Sequence, residues 1–169
     1  MKPALEWIGG RAIQKVSPKR RHAILQALIA EALHAWGRGR GEVGTEWHFR
    51  LIGSDGERGP LVPDVAFLCY ERSKNLTGDD LEEPPIAPDI AVEVLSPGDL
   101  RVHVSEKRQV YLANGVRLLL HVDSKRERVE AYRPDGSHEI VPLDVAYTPG
   151  DFPGLNLPFG EFFAELKRR

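Results

Sequence analysis

The sequence predicts an α/β fold in which helices flank a mixed central sheet. Apolar residues recur at three- and four-residue spacing across residues 24–36, which is typical of an amphipathic helix. Residues 87–97 form a continuous apolar run bounded by prolines, which is typical of a buried strand. A second helical pattern, 100–114, joins this strand to another apolar segment, 116–123. Such a strand–helix–strand unit takes a right-handed crossover, so the two strands are expected to be parallel.

The composition is that of an ordinary globular protein. At 169 residues, with 41% hydrophobic and 28% charged residues, we expect a single domain, 1–169, with its core at about 17–166. Cys69 is the only cysteine, which excludes an internal disulfide and a Cys-based zinc site and favours the cytoplasm. No apolar run approaches the ~20 residues of a membrane span, so no membrane partner is expected. The net charge of −2 argues against a uniformly basic surface.

The first helix has a recognisable start and end. Ser17 is a candidate N-cap with Pro18 at the first helical position, and Gly37 ends the apolar pattern. Residues 1–16 are expected to be mostly irregular. The basic residues that open this helix either meet phosphate or form a solvated face; they are Lys19, Arg20 and Arg21.

A hairpin and a long loop are predicted next. Residues 43–52 alternate between apolar and polar side chains, as a half-buried strand does. The turn-forming cluster 53–60 then leads into an apolar segment, 61–70, so the two segments are expected to pair as an antiparallel hairpin. Residues 71–88 are polar, acidic and proline-rich, which predicts a surface loop.

The second helix carries a lysine in an apolar row. Asp99 is its candidate N-cap, and Gly115 follows its last residue. One face should form a buried stripe of four residues, Leu100, Val104, Lys107 and Tyr111. Lys107 either extends its amine to the edge of the core or pairs with a charge such as Glu93.

The C-terminal part predicts a further hairpin and a short helix. Segments 128–133 and 138–142 flank a Pro-Asp-Gly-Ser turn at 134–137. Residues 154–166 end in a short amphipathic helix. The predicted core is therefore helix, hairpin, strand, helix, strand, followed by this hairpin and helix.

Two carboxylates mark the candidate site. Glu93 lies in the middle of a buried strand, where an isolated ionised carboxylate is costly and needs a cation, hydrogen bonds or a metal. Asp64 begins the apolar segment 64–68, on what should be a neighbouring strand. With Lys107 on the following helix, the pair has the composition that metal-assisted phosphodiester hydrolysis requires.

Several strings resemble one known family. They are Val-Pro-Asp-Val at 62–65, Pro-Asp-Ile-Ala-Val-Glu-Val-Leu-Ser-Pro at 88–97, Lys107 with Tyr-Leu-Ala-Asn-Gly-Val at 111–116, and Val-Asp at 122–123. Together they resemble the Uma-two family (Uma2) of restriction-endonuclease-like proteins, whose fold is that of the PD-(D/E)xK nucleases. The resemblance implies the restriction-endonuclease-like fold across roughly residues 17–166. One departure is Arg-Leu-Leu-Leu at 117–120, where the family usually has a Glu-Tyr-Trp run.

The resemblance also implies an activity and a set of site residues. It implies a metal-dependent endonuclease that hydrolyses DNA phosphodiester bonds through Mg²⁺ or Mn²⁺. Asp64, Glu93 and the backbone carbonyl of Val94 would be the metal ligands. The usual lysine lies two residues after the acid, where this chain has Leu95, so Lys107 would replace it from the helix. A homodimer is expected because cleavage of both strands of a duplex favours two-fold symmetry.

Four further residues are possible accessories to this site. Asp89 has the strand parity of Glu93 and also follows a proline, but the resemblance favours Asp64 as the acid. Glu46 and His48 lie on the polar face of the first predicted strand and either border the site or face solvent. Glu31, on the first helix, either looks inward or is an ordinary surface residue.

Two other functions remain open. A nuclease-like scaffold without turnover would only grip nucleic acid or a protein partner, and a Lys107 amine that points away from both acids would favour this. Alternatively, the carboxylates are purely structural and pair with arginines in a core ion network. The candidate arginines are Arg50, Arg101 and Arg117.

Overall fold

A computed structural model describes residues 3–168, and residues 1, 2 and 169 lie outside the described part. The elements in chain order are β1 (Leu5–Ile8), β2 (Arg11–Gln14), α1 (Arg20–Gly37), β3 (Gly41–Thr45), β4 (Phe49–Ile52), β5 (Arg58–Leu61), β6 (Val65–Cys69), α2 (Tyr70–Ser73), α3 (Gly78–Glu82), β7 (Ile90–Leu95), α4 (Arg101–Ala113), β8 (Leu118–Asp123), β9 (Arg128–Tyr132), β10 (His138–Ile140) and α5 (Phe159–Glu165). No helix in this part of the chain has the length and hydrophobicity that a bilayer crossing requires.

The central sheet is mixed and has six strands in the order β10-β9-β8-β7-β6-β3. β7 and β8 are parallel, with Ile90 opposite Leu118, and the other neighbours are antiparallel. The α/β fold and the parallel strand pair predicted from the sequence are therefore confirmed, as are the C-terminal hairpin and short helix.

The two faces of β7 meet different layers. Ile90, Val92 and Val94 belong to the core that the sheet shares with α1 and α5. Ala91 belongs to the second core, where Tyr111 of α4 packs against the sheet. Because side chains alternate along a strand, Glu93 faces the α4 side together with Ala91. The predicted parity of this strand is correct, and it turns Glu93 toward the helix that carries Lys107.

The N-terminal segment differs from its prediction. Residues 5–14 form the antiparallel hairpin β1–β2, whereas the sequence suggested irregular chain. Helix α1 begins at Arg20, and Lys19 is its N-cap without a side-chain hydrogen bond, so the prediction of Ser17 as the cap was wrong. The chain is still extended at Lys19 (φ −109°, ψ −178°), which delays the first helical turn past Pro18.

The single strand predicted at 43–52 is also wrong. Glu46 has φ of 53°, in the left-handed region, and this residue separates β3 from β4. β3 pairs with β6 in the central sheet, whereas β4 pairs with β5 in a separate two-stranded sheet. The apolar alternation continued through the break because both strands bury one face.

Smaller differences concern the loops and the second helix. The predicted loop at 71–88 includes α3, whose N-cap Thr77 forms a capping box with Asp80. Asp99 is not the cap of α4, because its Oδ2 accepts a hydrogen bond from the backbone N–H of Ser96 in the preceding turn (2.7 Å). Leu100 is 59% exposed and is not part of the buried stripe. Gly115, with φ of 99°, follows the end of α4 as predicted.

Candidate active site

Asp64 and Glu93 come from neighbouring strands and line one cavity. The backbone N–H of Asp64, just before β6, donates to the Val92 carbonyl of β7 (3.0 Å). Its Oδ2 accepts a hydrogen bond from the Val94 N–H (2.7 Å), which fixes the carboxylate beside the strand that carries Glu93. Both acids are buried, and both line a cavity of about 210 Å³.

Lys107 reaches this pair from α4. Its Nζ lies 2.9 Å from Glu93 Oε1 and 2.9 Å from Glu6 Oε2. Of the two alternatives for this lysine, the structure therefore shows pairing with Glu93 rather than extension to the edge of the core. The three residues predicted to converge do so, and their chemical roles remain predictions.

The sequence did not indicate the importance of the N-terminal hairpin. Glu6 on β1 accepts hydrogen bonds from the Val62 N–H (2.8 Å) and from Lys107. Lys15, just after β2, places its Nζ 2.9 Å from Asp64 Oδ1 and 2.7 Å from the Val62 carbonyl. The hairpin thus adds one acid and one cation to the site.

Two further side chains hold the carboxylates from the helices. His22 of α1 places Nε2 3.2 Å from Asp64 Oδ2. Tyr111 of α4 donates its hydroxyl hydrogen to Glu93 Oε1 (2.8 Å). The only signal for Tyr111 was its place in the apolar stripe, which identified it as core without indicating its hydroxyl.

The charges of this cluster shift its pKa values in opposite directions. Burial alone would raise the pKa of Asp64, but its hydrogen bond to His22 and the charge of Lys15 outweigh burial and hold it far below its usual range. Burial raises the pKa of Glu93 to about 7, against the attraction of Lys107 and with added repulsion from Asp64 and Glu6. Asp64 is thus a permanent anion, whereas Glu93 exchanges its proton near neutral pH.

The basic partners are held in their charged forms. Burial would lower the pKa of Lys15, but the charges of Asp64 and Glu93 more than offset it and raise that pKa. The same balance, with Glu93 and Glu6 as the acids, raises the pKa of Lys107. Although burial lowers it, the pKa of His22 is also raised, chiefly by its hydrogen bond to Asp64. Buried carboxylates and cations therefore compensate one another.

The donor atoms at this point fit a hard divalent cation. The N–H and C=O of a strand residue point to the same side, so the Val94 carbonyl is directed toward the side on which its N–H meets Asp64. Asp64, Glu93 and this carbonyl supply only oxygen atoms, the donors that Mg²⁺ prefers. Within residues 3–168, no group of three or more His, Cys, Asp or Glu side chains is arranged to hold an ion, so the backbone oxygen would be needed.

The four possible accessory residues lie in different places. Glu46 borders the site, because its Oε2 is 3.1 Å from Lys15 Nζ. His48 is instead directed to Glu83, with Nδ1 3.5 Å from Oε1. Glu31 is exposed and follows His22 by nine residues, about two and a half helical turns, which places it on the opposite face of α1.

Asp89 is fully buried but does not line the cavity. Its Oδ2 accepts a hydrogen bond from the Cys69 N–H (2.7 Å), and its Oδ1 lies 3.3 Å from Arg72 and 3.5 Å from Arg117. Asp89 therefore forms a structural ion network near the start of β7, away from the two acids of the site.

The proposed partnership of the site acids with arginines is wrong. Arg117 pairs with Asp89, and neither Arg50 nor Arg101 forms an ion pair within the described residues. The cations beside Asp64 and Glu93 are lysines, Lys15 and Lys107. A lysine ammonium is a compact charge on a flexible stem, so it can move more readily than a bidentate arginine.

Comparison with known proteins agrees with this architecture. The sequence matches the Uma2 family, described as "Putative restriction endonuclease", over residues 1–162. A crystal structure from Anabaena variabilis, described as a "putative nuclease belonging to DUF820", has the same fold with a TM-score of 0.84. It is 24% identical, and the match covers 97% of this chain and 92% of the other. Comparison with curated proteins gives no significant match. Because the match to the family spans nearly the whole sequence, the chain belongs to the Uma2 family.

Proposed function

We propose that the protein is a metal-dependent nuclease that hydrolyses DNA phosphodiester bonds at the Asp64–Glu93 site. The observation that supports this most strongly is the meeting of two buried carboxylates and a lysine at one cavity, 210 Å³ in volume, at the ends of neighbouring strands. The match to a family described as restriction endonucleases favours the same reaction class.

The candidate ligands for Mg²⁺ or Mn²⁺ are Asp64, Glu93 and the Val94 carbonyl. A bound ion of this type neutralises charge on the phosphate and makes water a better nucleophile. Asp64 is ready for such a ligand role, because it is ionised at any physiological pH and is oriented by the Val94 N–H. Tyr111 orients Glu93 through its hydroxyl.

Lys107 is the candidate catalytic cation. Its ammonium group is shared between Glu93 and Glu6, which holds it at the wall of the cavity. There it would interact with a phosphate oxygen and stabilise the negative charge that develops during hydrolysis. Glu6 is a positioning residue in this account, because it contacts Lys107 and the Val62 backbone.

One observation favours a second candidate, a nuclease-fold protein that binds nucleic acid or a partner without cleaving. Lys15 and Lys107 already compensate both carboxylates. If these ion pairs persist in the presence of metal, the site is structural and turnover is absent.

Calorimetric titration with Mg²⁺ or Mn²⁺ separates the two candidates. We expect wild-type protein to give a binding heat that is lost in Asp64→Ala and in Glu93→Ala and kept in Glu31→Ala, whose side chain is on the opposite face of α1. Because Glu93 has a pKa of about 7, the ion competes with a proton, and the apparent affinity should fall as pH decreases from 8 to 6. Unchanged heats in both site variants would remove the metal site.

The biological setting follows from the same proposal. We infer that the protein acts on DNA as a homodimer in the cytoplasm, since cleavage of both strands of a duplex suits a two-fold arrangement. Sedimentation with and without a DNA duplex would test the oligomeric state.

A further inference from the structure

A second, larger groove adjoins the candidate active site. It has a volume of about 710 Å³ and lies at the carboxyl ends of the parallel strands β7 and β8, against α4. The groove and the site cavity share wall residues: Leu95, Ser96, Asp99, Val104 and His121. The two spaces are therefore contiguous, and a chain-like ligand in one extends naturally into the other. In open α/β sheets, ligands commonly bind beyond the carboxyl ends of the strands.

The groove is rich in positive charge. Five basic side chains line it, against three acidic ones: Arg101, Arg108, Lys125, Arg126 and Arg128 against Asp99, Asp123 and Glu130. The acids are already engaged within the protein. Asp123 pairs with Arg126 (3.1 Å), Glu130 pairs with Arg128 (3.0 Å), and Asp99 accepts the hydrogen bond from Ser96.

Three cations of this groove pair with no carboxylate of residues 3–168. They are Arg101, Arg108 and Lys125. Arg108 is held in place, because its guanidinium stacks over the Tyr132 ring at 4.8 Å from the centroid. Arg101 and Lys125 are exposed and belong to opposite walls, α4 and the β8–β9 turn. An unpaired, oriented guanidinium between two mobile cations suits a ligand with several separated negative charges.

Helix α4 links the groove to the site. Lys107 faces the acids, and the next residue, Arg108, lines the groove. Arg101 lies two turns before Arg108, about 10 Å along the helix axis. The helix thus presents cations from the site outward along one direction.

We propose that this groove binds the sugar–phosphate backbone of the nucleic-acid strand whose phosphodiester bond lies at the Asp64–Glu93 site. Arg101, Arg108 and Lys125 contact phosphates that flank the scissile one. The inference rests on the proposed nuclease function and adds the path of the substrate. Phosphate contacts of this kind supply affinity and position and carry no direct sequence information.

Binding of a fluorescein-labelled DNA oligonucleotide, measured by anisotropy in EDTA, tests this path without cleavage. The variant is Arg101→Gln/Lys125→Gln, since both side chains are exposed and free of ion pairs. The matched control is Arg38→Gln/Lys74→Gln, with the same change of charge. Arg38 follows the last residue of α1 and Lys74 follows α2, which places both far from the carboxyl end of β7.

We expect the groove variant to bind more than about tenfold more weakly at 0.1 M salt and the control to bind like wild type. The slope of log K against log salt concentration should fall by about 1.8 for duplex DNA, or about 1.4 for a single strand, for two lost contacts. Equal affinity and slope for the groove variant, the control and wild type would overturn the proposed path.

Plasmid cleavage in Mn²⁺ separates this result from the fate of the proposed function. If wild type cleaves and the groove variant cleaves equally well at low DNA concentration, the function stands and the path is wrong. If only the groove variant loses affinity while no protein cleaves, the path stands and the nuclease proposal fails.

Discussion

Cleavage of supercoiled plasmid in Mn²⁺ is expected to fall at least about a hundredfold in Asp64→Asn and in Glu93→Gln. Each substitution removes one charged oxygen ligand while keeping the shape of the side chain. A metal ion contributes several kcal/mol of transition-state stabilisation, and each 1.36 kcal/mol corresponds to a factor of ten in rate. Initial rates of nicking, measured at fixed enzyme and DNA concentrations, provide the readout.

Lys107→Ala extends this test to the cation. We expect it to reduce nicking strongly while the metal-binding heat persists, because Lys107 is not a ligand in this account. Glu31→Gln is the control, with an exposed side chain on the opposite face of α1, and it should cleave like wild type. Wild-type rates in Lys107→Ala would assign the lysine to stability alone.

Substitution of Glu93 by glutamine should also change how stability depends on pH. In the native state burial raises the pKa of Glu93 from its ordinary value of 4.5 to about 7. Between these two values the native protein holds a proton that the unfolded chain has released, so the free energy of unfolding falls as pH rises through this window. The full shift corresponds to about 3 kcal/mol.

Urea denaturation from pH 4 to pH 9 in EDTA measures this effect. The difference in unfolding free energy, wild type minus Glu93→Gln, should decrease across pH 4.5–7 and then level off. Asp64 does not interfere, because its lowered pKa affects stability only under more acidic conditions. A difference that stays constant from pH 4 to pH 9 would show that Glu93 is ionised in the native state throughout.

The parts of the fold that could be predicted from the sequence are those with a regular apolar period. The period-2 pattern of 90–95 gave the correct parity, so that Glu93 was placed on the opposite face from Val92 and Val94. The order strand, helix, strand then fixed the parallel pairing of β7 with β8, because only one crossover hand is favoured. Asp64, Glu93 and Lys107 were found for the same reason, since each interrupts a predicted apolar element.

The missing part of the site comes from contacts distant in sequence. Lys15 meets Asp64 across 49 positions, and Glu6 meets Lys107 across 101. Neither residue interrupts a long periodic pattern, since β1 and β2 have four residues each. The break at Glu46 was hidden for a similar reason, because a single left-handed residue leaves the alternation on both sides intact.

The central claim is that Asp64 and Glu93 together bind one divalent ion. A crystal soaked in Mn²⁺ and measured at a wavelength where manganese scatters anomalously tests this claim directly. The account predicts one anomalous peak between the two carboxylates and the Val94 carbonyl, with oxygen distances of about 2.0–2.2 Å and with Lys15 or Lys107 displaced from its carboxylate. No peak there, with the Lys15–Asp64 and Lys107–Glu93 pairs unchanged at saturating Mn²⁺, would contradict it.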